Sequence, residues 1–407
     1  MPTSKIASWG VVDRSLSGRE SWISFFAVFC FCSTTTYLQN KVASIITVLA
    51  AAFAMDPASA GYLVASFAIV GIVLAFPAAW IMRKLGVKTT LILAGCISII
   101  GSLIGLFAQS AATILFSRVL EGCGMAFAAV VGPNVIPRLF PQEKMGLVMG
   151  VWSCWTLPGI ILAFITTPLL YEAFGYRSLW VLSLVLEIAT TAWMILSFRL
   201  SAPASSESVD AVDARSARKP HVLSAWLVAF AFLGYGLLFG TILAYYPTYL
   251  QTVKGMSLTL SSIVPMVLAV TTAPFGIWFG ILADRYQARK WFIVIPLLVV
   301  AVLEFTIGFT EGPELWPVWL YAVIFGICCG GIPMGIYALV PLLAVERSKV
   351  DYALAGTGFF MMISNFMLGP LGTLITDIGY HQLGMYVLAP AALFFAILVL
   401  VCKGDRD

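Results

Sequence analysis

Ser201 to Pro220 reads SAPASSESVDAVDARSARKP, and it is the only long polar stretch in the chain. A segment of Ser, Ala and charge buries too little apolar surface to fold alone, so it reads as a flexible linker. On both sides of it the chain is overwhelmingly apolar. Of 407 residues, 61% are hydrophobic and 10% charged, with a mean hydropathy of +0.99, values far outside those of soluble globular domains. A membrane-spanning helix needs roughly 20 mostly apolar residues. Runs of that kind cover 22–47, 58–82, 89–108, 112–136, 146–170, 178–198, 222–249, 259–282, 291–310, 316–342, 352–376 and 383–402. Six precede the linker and six follow it. The expected fold is therefore an all-α membrane protein with twelve transmembrane helices in two six-helix bundles, 22–200 and 221–402. A lead-in at 1–21, the linker at 201–220 and a tail at 403–407 complete the chain.

Twelve spans put both termini on one side. Nineteen of the 23 Lys and Arg residues fall in the loops of that side, whereas the opposite loops keep only Arg177 and Lys254. The positive-inside rule then predicts cytoplasmic termini, and a bacterial inner membrane is the expected location. The net charge of +4 reports this orientation and contact with lipid headgroups, since the scattered cations form no nucleic-acid face. Residues 1–21 lack the apolar core of a cleaved signal. All eight cysteines lie in or beside spans without metal-ligand spacing, so neither a metal nor a cofactor is expected. Nothing requires an oligomer, and a monomer is expected.

The two halves look like copies. The basic turn Ile81 to Lys88, IMRKLGVK, aligns with Leu282 to Lys290, LADRYQARK, and Gly175-Tyr176 aligns with Gly379-Tyr380. Two rigid bundles related by a pseudo-twofold axis can rock about a site near the bilayer midplane, which is alternating access. Small-xxx-small pairs at Gly101/Gly105, Gly146/Gly150, Gly276/Gly280, Gly326/Gly330 and Gly331/Gly335 predict close helix approach.

The sequence GILADRYQARK, Gly280 to Lys290, resembles the cytoplasmic-turn motif Gly-x-Leu-Ala-Asp-Arg-x-Gly-Arg-Lys of the major facilitator superfamily, with Gln287 in place of the second glycine. Arg118-Val-Leu-Glu121-Gly122-Cys-Gly124 resembles that family's Arg-x-x-Gln-Gly-x-Gly helix motif, with Glu121 replacing the amide. Phe140 to Gly146, Gly175 to Trp180 and Gly369-Pro370 are similar to further family signatures. The resemblance implies a secondary carrier of twelve-helix, prokaryotic type. It assigns Asp284, Arg285 and Arg289 to a charge cluster that latches one conformer. The first-half copy has Arg83 where the family has Asp, which suggests a sign-swapped latch from Arg83 to Glu346 or Asp351. The fifth span, GVWSCWTLPGIILAFITTP, lacks the Gly-Pro order of drug antiporters, and no nitrate-porter signature is present.

An ionisable residue at membrane depth is a functional hypothesis by default. Lys41, Arg118, Glu121, Glu187 and Glu304 qualify. Thr34, Tyr37 and Lys41 recur at helical spacing and form a polar stripe, expected to face the central cavity. By the resemblance, the helices carrying Lys41 and Arg118 line that cavity, and two cations there would hold a small organic anion. Glu121 beside Arg118 would carry a coupling proton. The competing structural account pairs Arg118 with Glu121 at i,i+3 and lets Lys41 snorkel to the outer interface. Tyr235, Tyr337 and Asn365 complete the candidate cavity. Tyr245, Tyr246 and Tyr249 read as interface-belt residues, and Glu187 and Glu304 as structural residues on peripheral helices. Since no nucleophile, zinc or phosphate-loop motif appears, an enzyme is not expected. The expected function is a proton-coupled symporter of a small organic anion, with a proton-coupled drug efflux carrier as the alternative.

Overall fold

The structure, a computed structural model, describes residues 11–12, 16–140, 148, 151–152, 154–201, 221–344 and 347–403. The spanning helices are α1 Gly18–Asn40, α3 Val87–Leu106, α4 Ala111–Leu139, α5 Thr156–Phe174, α6 Arg177–Ser197, α7 Val222–Lys254, α8 Leu258–Tyr286, α9 Trp291–Phe305, α10 Trp316–Ala344 and α11 Arg347–Ile378. The second span, α2, is a chain of short pieces, Pro57–Ala60, Tyr62–Ala65, Ser66–Ala68, Ile69–Leu74 and Pro77–Leu85. The last, α12, runs Tyr380–Leu383 and Ala389–Val401 around a π-helical turn, Gly384–Leu388. Among the described residues, ten helical segments are long and apolar enough to cross a membrane, and shorter apolar helices lie at Tyr62–Leu74 and Trp291–Phe305. A helix satisfies its backbone groups within its own segment, as a chain that crosses hydrocarbon requires.

Two expected spans differ in form. The reading of 22–47 as one helix gives way to α1 ending at Asn40, followed by a 3-10 turn, Ala43–Ile45, and a short helix, Ile46–Ala52. The reading of 58–82 as one helix gives way to the segmented α2. At its other end α1 begins with a capping box, in which Glu20 N–H donates to Ser17 Oγ (3.2 Å) and Ser17 N–H donates to Glu20 Oε2 (2.9 Å). Val11–Val12 pairs in parallel with Leu200–Ser201, tying the lead-in to the end of α6.

The duplication is visible in the caps. Lys88, at the start of α3, donates from Nζ to Phe198 O at the end of α6 (3.0 Å). Lys290, just before α9, donates to Cys402 O at the end of α12 (2.6 Å). Each half thus closes the last turn of its sixth helix with a lysine from the start of its third, as a cation at a helix C-terminus should. Gly86 and Gln287 correspond in the two copies, and both have positive φ, 83° and 47°. Gln287 therefore holds a conformation that favours glycine, at the position where the family motif carries one. We expect Gln287→Gly to raise the thermal midpoint of the purified protein by relieving up to about 1 kcal/mol of strain; a fall in the midpoint would refute this.

Hydrogen bonds join the two halves at the end of the molecule opposite the termini. Ser262 Oγ donates to Ser44 Oγ (2.9 Å), Gln251 Nε2 to Ser44 O (3.3 Å), and Thr259 Oγ1 to Glu172 Oε1 (3.5 Å). There α2 also lies on α11, where a Cβ built on Gly61 would come within 2.6 Å of Tyr245 Oη and 2.8 Å of Gly369 O. Tyr245 Oη itself donates to Leu368 O. Toward the termini, Phe76 of α2 meets Phe359 of α11 at 5.2 Å between ring centroids, and beyond that contact Trp80, Tyr337 and Tyr352 are exposed. The halves are closed together at the far end.

The glycine spacings do their work inside each half. A Cβ on Gly101 would meet Glu121 N and Leu120 Cβ, both at 2.8 Å, so α3 can lie against α4 only with glycine there. Gly276 and Gly330 face each other between α8 and α10. Gly146 and Gly150 lie outside the described residues, as do Glu346 and the side chains of Arg83, Asp284 and Asp351 in the latch reading. Arg285 is exposed and lies 6.0 Å from the Tyr286 ring, while Arg289 is half-buried in the turn before α9.

Candidate functional site

Where α1 stops, the carbonyls of its last turn lose their helical partners. Arg118 of α4 supplies them. Its Nη1 donates to Leu38 O (2.7 Å) and its Nη2 to Gln39 O (3.1 Å), while Nε donates to Leu63 O (3.0 Å) at a break in α2. The guanidinium therefore caps two interrupted helices from across the bundle. It also pairs through Nη1 with Glu121 Oε2, one turn along α4, and lies 4.9 Å from the Phe67 ring.

Lys41, the first residue past α1, enters the same site. Its ammonium donates to Glu121 Oε1 (2.8 Å) and Ser183 Oγ of α6 (2.7 Å), 4.4 Å from the Trp180 ring. Ser102 of α3 donates to the same Glu121 oxygen (2.9 Å), and Thr167 of α5 donates to Lys41 O (3.0 Å). Lys41, Arg118 and Glu121 are all 0% exposed. A single carboxylate thus takes two cations and a hydroxyl, and every helix of the N-terminal bundle contributes an atom. Such a cluster persists in a dry interior only when each charge is paired and hydrogen-bonded.

This geometry sorts the sequence readings. The Arg118–Glu121 pair forms as the i,i+3 spacing predicts. Lys41 does not snorkel, because Glu121 and Ser183 draw its ammonium inward. Tyr37, like Lys41, is 0% exposed, and Thr34 is buried with its hydroxyl on Cys30 O, so in this conformer the stripe faces the bundle interior and not an open cavity. Glu187 of α6, read as a structural residue of a peripheral helix, lies beside the cluster, close enough to interact electrostatically with Lys41, Arg118 and Glu121. It is 3% exposed, and the Ser102 hydroxyl beside its carboxyl donates to Glu121, leaving the Glu187 oxygens unpartnered.

In the C-terminal half, Tyr235 and Phe239 of α7 stack at 5.4 Å, and Phe232 packs on Tyr337 of α10 at 5.2 Å. Tyr235 is buried and Tyr337 is 48% exposed. Asn365 of α11 is buried with Nδ2 unpartnered. None of the three touches the charged cluster, so the structure divides the candidate site residues into a charged group in one half and an aromatic-amide group in the other. Tyr245, Tyr246 and Tyr249 are buried, which corrects their reading as belt residues: Tyr246 packs on Tyr321 of α10, Tyr249 on Tyr380 of α12, and Tyr245 meets α2 and α11 where the halves join.

The sequence pattern of the Major Facilitator Superfamily matches residues 24–303. The cyanate transport protein CynX of Escherichia coli K12 is 26% identical over 340 residues, covering 79% of this chain and 84% of that protein. The H(+)/hexose cotransporter 1 of Parachlorella kessleri is 29% identical over 129 residues, and the putative multidrug resistance protein MdtD of Pectobacterium atrosepticum 26% over 177. These stretches cover 32% and 44% of this chain, and only 24% and 34% of those two relatives. The crystal structure of a D-xylose-proton symporter superposes with a TM-score of 0.73 at 14% identity, covering 95% of this chain and 98% of that one. A bacterial homologue of the human lysosomal transporter Spinster, solved inward-facing and unoccupied, gives 0.70 at 16%, covering 95% and 96%. The chain belongs to the Major Facilitator Superfamily and is a multi-pass membrane transporter of that family.

Proposed function

We propose that this transporter is a proton-coupled symporter of a small monovalent anion, such as cyanate or a short carboxylate, in a bacterial inner membrane with its termini in the cytoplasm. The observation that carries the reading is a buried pair of cations, Lys41 and Arg118, held by one carboxylate, Glu121, with the unpartnered Glu187 alongside. If Glu121 takes a proton, its charge disappears and two desolvated cations are left to attract an anion. Proton and anion therefore load together. The similarity to a cyanate transporter, which spans most of both chains, supports the anion class, whereas the similarity to MdtD covers a third of that protein. The cytoplasmic placement of the termini rests on the distribution of basic loops.

Loading changes contacts on α1, α2, α3, α4 and α6 at once, because all meet at the cluster. That links occupancy to the rocking of the halves. Reconstituted into liposomes, the protein should accumulate labelled cyanate or formate down an imposed proton gradient. Glu121→Gln, whose amide imitates the protonated acid, should lose gradient-driven accumulation but keep anion exchange; Lys41→Gln should lose both. Anion uptake indifferent to the proton gradient, or transport confined to lipophilic cations, would reject the reading.

A further inference from the structure

A second buried acid sits in the C-terminal half, unused by the mechanism above. Glu304, at the end of α9, is 0% exposed. Tyr321 of α10 donates to its Oε1 (3.3 Å), while Oε2 has no partner. The titratable groups near it are Tyr321 and Cys329 from α10, Tyr246 from α7 and Tyr380 from α12. The remainder of α12, Ala389–Val401, carries no titratable side chain. None of these neighbours is a cation, so Glu304 lacks the pairing that Glu121 enjoys. The hydroxyl of Tyr380 is itself buried without a partner, an unspent donor for an ionised carboxylate, and that of Tyr246 lies beside the Thr310 hydroxyl.

Packed aromatic rings fill the space between this pocket and the surface. Tyr246 lies 5.3 Å from Tyr321 and 5.7 Å from Tyr380 between centroids, and Tyr249 lies 5.6 Å from Tyr246 and 4.9 Å from Tyr380. Tyr249 Oη donates to Glu311 Oε1 (3.2 Å), which lies 3.5 Å from His381 Nδ1. Glu311 and His381 are 38% and 41% exposed, at the end of the molecule opposite the termini.

We propose that Glu304 is a second proton-binding carboxyl, loaded from the far side of the membrane through the tyrosine cluster and the Glu311–His381 pair. A proton arriving at His381 or Glu311 is passed inward once the Tyr246 and Tyr380 hydroxyls rotate to join Tyr249 to Tyr321, each phenol giving up its own proton as it takes the next, so only Glu304 changes its proton count and nothing is oxidised. The site is separate from the charged cluster of the N-terminal half, and its occupancy is independent of which solute is carried.

Infrared difference spectroscopy on the purified full-length protein tests this without a substrate. At neutral pH the wild type should show a protonated-carboxyl C=O band that Glu304→Gln removes. Tyr321→Phe, which keeps the ring packing, should shift that band's frequency through loss of the hydrogen bond. Tyr249→Phe and His381→Gln should slow its shift on transfer into heavy water by about tenfold, the factor one hydrogen bond is worth. Loss of only ionised-carboxylate bands in Glu304→Gln would overturn the proposal. So would a C=O band unchanged in Tyr321→Phe, exchange unaffected by either surface substitution, or a band that sodium or potassium abolishes at constant pH, which would make the pocket a metal-cation site.

Discussion

Glu121→Leu is expected to be the most destabilising single substitution in the N-terminal half. It leaves Lys41 and Arg118 buried without a counter-charge, and removing one partner of a buried ion pair costs about 3–5 kcal/mol. Thermal unfolding in detergent should show a large fall in the midpoint. The partners differ in a way that tests the geometry. Lys41→Met added to Glu121→Leu should recover much of the loss, because the lysine side chain's other hydrogen-bond partner is a single serine hydroxyl and methionine can still pack on the Trp180 ring. Arg118→Met should not recover it, because the guanidinium also satisfies Leu38 O, Gln39 O and Leu63 O, which would be stranded. Equal recovery from the two substitutions would mean that Arg118 is only a counter-charge and not the cap of α1 and α2.

Gly61→Leu should shift the conformational equilibrium of the whole molecule. Its Cβ would press on Tyr245 Oη and on a backbone oxygen of Gly369, so α2 and α11 must separate where the halves are closed. Overpacking of this kind costs about 1–3 kcal/mol, which moves a two-state ratio by about 5–150-fold. The conformer with the far end open lacks this contact and should gain population. Spin labels placed by Asp56→Cys and Asp377→Cys, exposed residues on either side of the seam, in a chain freed of its native cysteines, should show a longer distance distribution in the Gly61→Leu background. An unchanged distribution would show that the seam at Gly61 does not hold the closed end shut.

Sequence and structure differ most at the buried charges. The Arg118–Glu121 pair was legible, since both lie on one face of one helix. The convergence of Lys41 on the same carboxylate, 80 positions away, was not. Nor was the role of Glu187, which on helix position alone looked peripheral. Both depend on the rotation of α1 and α6 about their own axes. A strongly amphipathic helix announces its buried face, but spans that are apolar nearly all round do not. The breaks in α2 were only partly marked: Gly61 and Pro77 stand at two of them, but the freed carbonyl at Leu63 is answered by a side chain of α4, 55 positions away.

By itself the sequence determined the all-helical membrane fold, because each helix in hydrocarbon satisfies its own backbone and must be apolar over a fixed length. Only the tertiary structure decided which buried charges meet, which end of the molecule is closed, and that Tyr246, Tyr249, Tyr321 and Tyr380 gather near Glu304. Those outcomes are set by the contacts between helices, where a glycine such as Gly101 or Gly61 fixes how closely two backbones approach and so which side chains come within reach of one another.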